Sequence, residues 1–149
     1  MIQRVRGNLL AADVEALVNA VNCVGAMGKG LAAQFKTQFP DVFQAYARAC
    51  EVGEVEPGRM HVVETGLVSP RLVINFPTKR HWRDRSLLED VDAGLAALVR
   101  EVKIRAIRSI AVPALGCGLG GLSWEDVAPR IEQAFVALEN VPVLLFEPG

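Results

Sequence analysis

The chain has 149 residues, of which 51% are hydrophobic and 22% charged, with a formal net charge of −1; that size suits one domain around a single core, and the charge excludes a protein that binds nucleic acid with its whole surface, so any such contact is local. Three cysteines, Cys23, Cys50 and Cys117, match neither a disulfide framework nor a zinc site in count and spacing and read as reduced thiols. No apolar run approaches a membrane span and Met1–Arg6 lacks the apolar stretch of a secretory signal, so a cytoplasmic protein with no membrane partner is expected.

In chain order, Ile2–Val5 reads as a strand, and after Gly7-Asn-Leu-Leu10 a second runs from Ala16 to Val21. A glycine-rich turn, Asn22 to Gly30, leads into a helix over Leu31–Gln38, and Pro40 opens the first turn of another through Val42–Ala49. Strands follow at Met60–Val63 and Leu72–Phe76. The segment from Thr78 to Arg85 then precedes a helix whose apolar stripe is Leu87, Leu88, Val91, Leu95, Leu98, Val99 and Val102, with Ser86 and Glu89 spaced as a capping box. A strand at Ile110–Pro113 enters a second glycine-rich turn, Pro113 to Gly121. Ser123 is placed to cap a helix with the stripe Trp124, Val127, Ile131, Phe135 and Leu138, and Val143–Phe146 is the last strand. Its closeness to Gly149 leaves room for a further domain in a longer protein.

The strand runs are short, branched and nearly continuous, as strands covered on both faces are. Their alternation with helices predicts one three-layer α/β/α domain over residues 1–149, built on a mixed, largely parallel central sheet. Ligands of such sheets bind outside the carboxyl ends of the strands. Both glycine turns and Thr78-Lys79-Arg80 follow strand ends, so all three converge on one cleft.

Glycine-rich turns between strand and helix let backbone N–H groups approach an oxyanion, and two of them suggest a diphosphate gripped from both sides. Gly116 to Gly121 also satisfies G-x-G-x-x-G, although a nicotinamide-binding domain needs further strand and helix units; a tight connection with no ligand is the plainest alternative. Asn19 and Asn22 have amides suited to ribose hydroxyls, or they fix the backbone of the turn. Lys29 supplies charge near a phosphate, but it precedes Gly30, so the chain has no P-loop. Lys79, Arg80, His81, Trp82, Arg83 and Arg85 form a basic segment with one aromatic, suited to phosphates and a stacked base, or else a solvated charged loop. His61, within a strand, reads as structural.

Gly7-Asn-Leu-Leu10, Ala16 to Ala32 and Pro113 to Trp124 together resemble the macrodomain family, the ADP-ribose-binding fold. The resemblance implies that Asn8 and Leu9 lie near the adenine, Asn8 standing where many members carry an aspartate and offering its amide oxygen instead. It implies that Asn19, Ala20, Val21, Asn22, Gly28 and Gly30 contact the distal ribose and diphosphate with Thr78, and that Gly116, Cys117, Gly118, Leu119 and Gly120 wrap the diphosphate. Within the family, Phe76-Pro-Thr-Lys79 resembles the terminal ADP-ribose glycohydrolase type, in which such a lysine acts at the distal ribose. Asn75 to Arg83 with Gly116 to Trp124 is most similar to antitoxin members that remove ADP-ribose from thymine in single-stranded DNA.

What this implies is a catalytic Lys79, acting as a neutral amine nucleophile or as an ammonium that stabilises the leaving base. Arg80, His81, Trp82 and Arg83 would be DNA contacts. The type places an aspartate where this chain has Gly120, so the proton carrier passes to His81, a water or the substrate's phosphate. The expected partners are ADP-ribose, ADP-ribosylated single-stranded DNA and a cognate ADP-ribosyltransferase toxin, with a monomer and no metal or cofactor. The alternatives are a reader that binds ADP-ribose without cleaving it, and a glycohydrolase acting on protein carboxylates.

Overall fold

The computed structural model describes residues 1–149. Strands β1 (Ile2–Val5), β2 (Ala16–Val21), β3 (His61–Glu64), β4 (Leu72–Pro77), β5 (Ile110–Val112) and β6 (Val143–Phe146) form one sheet in the order β1-β6-β5-β2-β4-β3. Every pair is parallel except the edge pair β3 and β4. Helices α1 (Gly30–Gln38) and α2 (Pro40–Glu51) cover one face, and α3 (Leu88–Ile104) and α4 (Trp124–Ala134) cover the other.

The two cores explain why the strands read as continuous apolar runs. Along β2, Ala16 and Val18 pack under α3 and α4, while Leu17 and Val21 pack under α1 and α2 with Phe35 and Tyr46. Residues two apart share a face of a strand, so a central strand covered on both sides is apolar at nearly every position, the exceptions in β2 and β4 being Asn19 and Asn75, which bond each other. In β4 the same rule sends Leu72, Ile74 and Phe76 to one core and Val73 to the other.

Helix ends differ from the sequence pattern in detail. Pro40 is the first residue of α2, as expected, but no capping box opens α3. Its cap residue is Leu87, without a side-chain bond; Ser86 instead donates its backbone N–H to the Gly120 carbonyl, and its hydroxyl is buried without a partner. Leu87 is 44% exposed and off the buried stripe. Ser123 does occupy the cap position of α4, with no side-chain bond there. That helix stops at Ala134, so Phe135 and Leu138 reach the core from the turn beyond it.

Strand order sets up the site. Because β2 lies between β5 and β4, the glycine turn after β2, the segment after β4 and the glycine turn after β5 emerge side by side. The ends of β1 and β6 lie further along the same edge. From β1 to β4 is four strand spacings, roughly 19 Å at about 4.8 Å each.

Candidate functional site

A cleft of about 1050 Å³ lies along this edge, at the upper end of the roughly 300–1,000 Å³ usual for small-molecule sites. Its middle is built from the two glycine turns, one end from the chain after β1 and β6, and the other from the segment after β4.

The first turn is braced from within. Asn22 Oδ1 accepts from the backbone N–H groups of Val24 (3.0 Å) and Ala26 (3.3 Å), and Nδ2 donates to the Ala26 carbonyl at 2.9 Å. The buried Tyr46 hydroxyl lies 2.7 Å from the same Oδ1 and 2.8 Å from the Asn22 carbonyl. Burial, with Cys50 beside it, pushes the Tyr46 hydroxyl up, which keeps it a donor. Asn22 therefore borders the cleft with both amide atoms engaged: it shapes the turn. Asn19 is fully buried and outside the cleft wall, its Nδ2 donating to Asn75 Oδ1 at 3.3 Å, so it supports the floor rather than meeting a ligand. What the turn does present is the start of α1: Gly28, Lys29 and Gly30 line the cleft at a helix N-terminus, where backbone N–H groups favour an anion.

The second turn approaches from the opposite side. Gly116, Gly118, Leu119 and Gly120 line the cleft; Leu119 is 66% exposed and reaches to 3.9 Å from where a Cβ on Gly30 would stand, so the two turns nearly meet. A Cβ on Gly120 would collide with Ser86 Oγ and the Gly116 carbonyl. That is the steric reason this position has no side chain. Cys117 does not line the cleft, and burial pushes its thiol up to about 11.

In the segment after β4, the Thr78 N–H donates to the Val21 carbonyl and the Cys23 N–H to the Arg80 carbonyl, tying the segment to the first turn. At the far end, the Ser86 N–H ties it to the second. Lys79 lines the cleft with Nζ donating to the Trp82 carbonyl at 3.0 Å. Trp82, 53% exposed, and Arg83 also line it, the guanidinium 5.2 Å from the ring centroid. Arg80 and His81 do not. Arg80 pairs with Asp90 on α3 at 2.8 Å, and His81 Nδ1 accepts the Arg83 N–H at 3.1 Å while its ring packs on Trp82. Both bonds hold the loop's shape and set Arg80 and His81 outside the cleft wall, with the Arg80 side chain exposed beside it and His81 Nε2 unengaged.

At the other end Asn8 and Leu9 line the cleft as expected, with Ala20 and Val21 on its floor. Phe146 and Glu147 join them, and Gln34 joins the wall near the first turn. The sequence carries no local signal for these three, because their arrival depends on strand order and helix direction.

A family model described as Macro domain matches residues 18–131. The chain belongs to the macro domain family. The macrodomain of Mycobacterium tuberculosis DarG superposes with a TM-score of 0.98 at 53% identity, covering 100% of this chain and 99% of that one. The Thermus aquaticus DarG macrodomain gives 0.95 at 54% identity, with 99% of each chain covered. Thermosipho africanus DarTG in complex with ADP-ribose gives 0.91 at 37% identity over 99% of this chain and 41% of that one. In sequence, the DNA ADP-ribosyl glycohydrolase of Thermus aquaticus is 55% identical over 99% of this chain and 41% of its own length; that of Mycobacterium tuberculosis is 54% identical over 100% and 43%. This macro domain thus spans about two fifths of the length of the curated relatives it matches. No helix is long and apolar enough to cross a membrane.

Proposed function

We propose that this macro domain, residues 1–149 as a single unit, removes ADP-ribose from thymine bases of single-stranded DNA and so reverses a DNA ADP-ribosyltransferase toxin, working as a cytoplasmic monomer. The observation that carries the reading is the exposed Trp82 with Arg83 beside Lys79 at one end of a cleft whose middle is a two-sided anion cradle. A flat ring with a cation over it suits an unpaired base and its phosphate. The relatives named DNA ADP-ribosyl glycohydrolase, and a Thermosipho protein named as a fusion of DNA ADP-ribosyl transferase and DNA ADP-ribosyl glycohydrolase, support the same substrate and partner.

In this reading the diphosphate lies between Gly28–Gly30 and Gly116–Gly120, the adenine lies toward Asn8 and Phe146, and the distal ribose lies toward Lys79. The bond between the ribose anomeric carbon and the thymine nitrogen breaks, its electron pair passing to the nitrogen. Water adds its oxygen to the carbon, and one of its protons ends on the base. Lys79 Nζ is already set as a donor by the Trp82 carbonyl, and a donor aimed at the departing nitrogen stabilises the charge that develops there.

The test is release of free ADP-ribose from a single-stranded oligonucleotide carrying ADP-ribosyl-thymine. The parent releases it; Lys79→Ala binds ADP-ribose within a few-fold of the parent but loses roughly 10²-fold or more of its turnover, the scale of removing one such donor. Borohydride trapping of a covalent adduct on Lys79 would move its role to nucleophile. Binding without release from DNA or from an ADP-ribosylated peptide marks a reader, and release from the peptide alone moves the substrate to protein.

A further inference from the structure

Ser86 is 4% exposed, and its hydroxyl has no partner in the protein. It stands behind the second glycine turn, against both ends of the stretch that lines the cleft: a Cβ on Gly116 would lie 3.3 Å from Ser86 Oγ, and one on Gly120 would collide with it. The Ser86 N–H already holds one carbonyl of the turn, that of Gly120, at 2.9 Å. Alanine would keep that bond and bury no polar atom without compensation, so neither packing nor the backbone accounts for the hydroxyl.

The front of the turn supplies the reason. The N–H groups of Gly118, Leu119 and Gly120, three consecutive residues in the cleft wall, donate to no group of the protein. In a trans peptide the N–H and C=O of one plane point in opposite directions. An anion that draws these N–H groups into the cleft therefore drives the carbonyls of Cys117, Gly118 and Leu119 toward the back. The Gly118 carbonyl accepts the Gly121 N–H at 3.2 Å, whereas those of Cys117 and Leu119 accept from no group of the protein. We infer that Ser86 is a positioning residue for anion binding: its hydroxyl, unpaired in the free protein, takes up a carbonyl at the back of the second turn when a diphosphate occupies the front, and so holds the turn closed on it. This rests on the proposed binding of ADP-ribose.

The experiment is calorimetric titration of the full chain with ADP-ribose, parent against Ser86→Ala, with thermal midpoints recorded in the absence of ligand. The variant melts at or above the parent's midpoint yet binds ADP-ribose about tenfold more weakly, the scale of one hydrogen bond made only in the complex. Equal affinities overturn the inference, and so does a midpoint that falls together with the affinity, because the hydroxyl would then belong to the free fold. A crystal structure of the parent with ADP-ribose bound is the second measurement: Ser86 Oγ is expected within about 3 Å of a carbonyl oxygen of the turn, and a hydroxyl still without a partner there overturns the inference. A folded parent that does not bind ADP-ribose overturns the ADP-ribose reading and this inference with it, an outcome distinct from a parent and a variant that bind equally.

Discussion

Two residues that line the cleft, Asn22 and Gly120, owe their identity to their neighbours in the fold. The Asn22 amide is consumed by Val24, Ala26 and Tyr46; the tyrosine is 24 positions away, so nothing near Asn22 in the sequence announces it. Gly120 is a glycine because Ser86 Oγ and the Gly116 carbonyl occupy the direction of a side chain. The glycine turns were legible from their number and placement; which atoms they turn toward a ligand was not. Gly120→Ala is expected to lower stability by about 1–3 kcal/mol, the usual cost of overpacking, and to weaken ADP-ribose binding. Ser86→Ala, which only removes a buried hydroxyl with no partner, is expected to hold or raise stability. Chemical denaturation of both variants checks this, and equal midpoints for Gly120→Ala and the parent would refute the packing.

At the scale of elements, strand positions were legible because burial on two faces leaves a nearly continuous apolar run, as Leu72 to Phe76 shows with the buried Asn75 as its one polar member. Helix starts were less so: Ser86 and Glu89 have the spacing of a capping box, but bonding to the second glycine turn takes Ser86 out of the helix. The segment after β4 is the harder case. Its composition shows a basic, aromatic loop, yet its orientation depends on Asp90 drawing Arg80 toward α3, and on the Cys23 N–H holding the Arg80 carbonyl. Arg80 is thus pinned at both ends and fixes its neighbour Lys79. Asp90 is accordingly a positioning residue. Asp90→Asn should cut turnover on ADP-ribosylated oligonucleotide about tenfold, as small misplacements of a reacting group do, while ADP-ribose affinity stays within a few-fold and Asp90→Glu restores part of the rate. Equal losses in turnover and ADP-ribose affinity would point to general unfolding of the site instead.

Across the whole molecule, two titrating groups tie the sheet together at different places and give way to acid in sequence. Asn75 Oδ1 accepts from Asn19, so Asn75 Nδ2 is what faces His61 Nδ1 at 3.1 Å, and that nitrogen must be an unprotonated acceptor. Burial lowers the His61 pKa below its ordinary 6.5, outweighing the pull of Glu54. Glu15 precedes β2; its carboxylate accepts from the Arg108 N–H at 2.7 Å and Arg71 Nε at 3.1 Å, joining the starts of β2, β4 and β5. Burial pushes its pKa up, but these bonds and the two arginine charges outweigh that and hold it below 4.5. For both groups the unfolded chain binds protons more readily, so each contributes stability above its unfolded pKa that is lost as pH falls through the folded one. The melting midpoint should therefore decline first below about pH 6.5 through His61, and further below about pH 4.5 through Glu15. His61→Gln, which keeps an acceptor for Asn75, should flatten the first decline and leave the second; Glu15→Gln should do the reverse from a lower plateau, since it forfeits the charge toward both arginines. Midpoints recorded from pH 8 to pH 3.5 decide it: variant curves that run parallel to the parent's at every pH would mean that neither group carries the acid response.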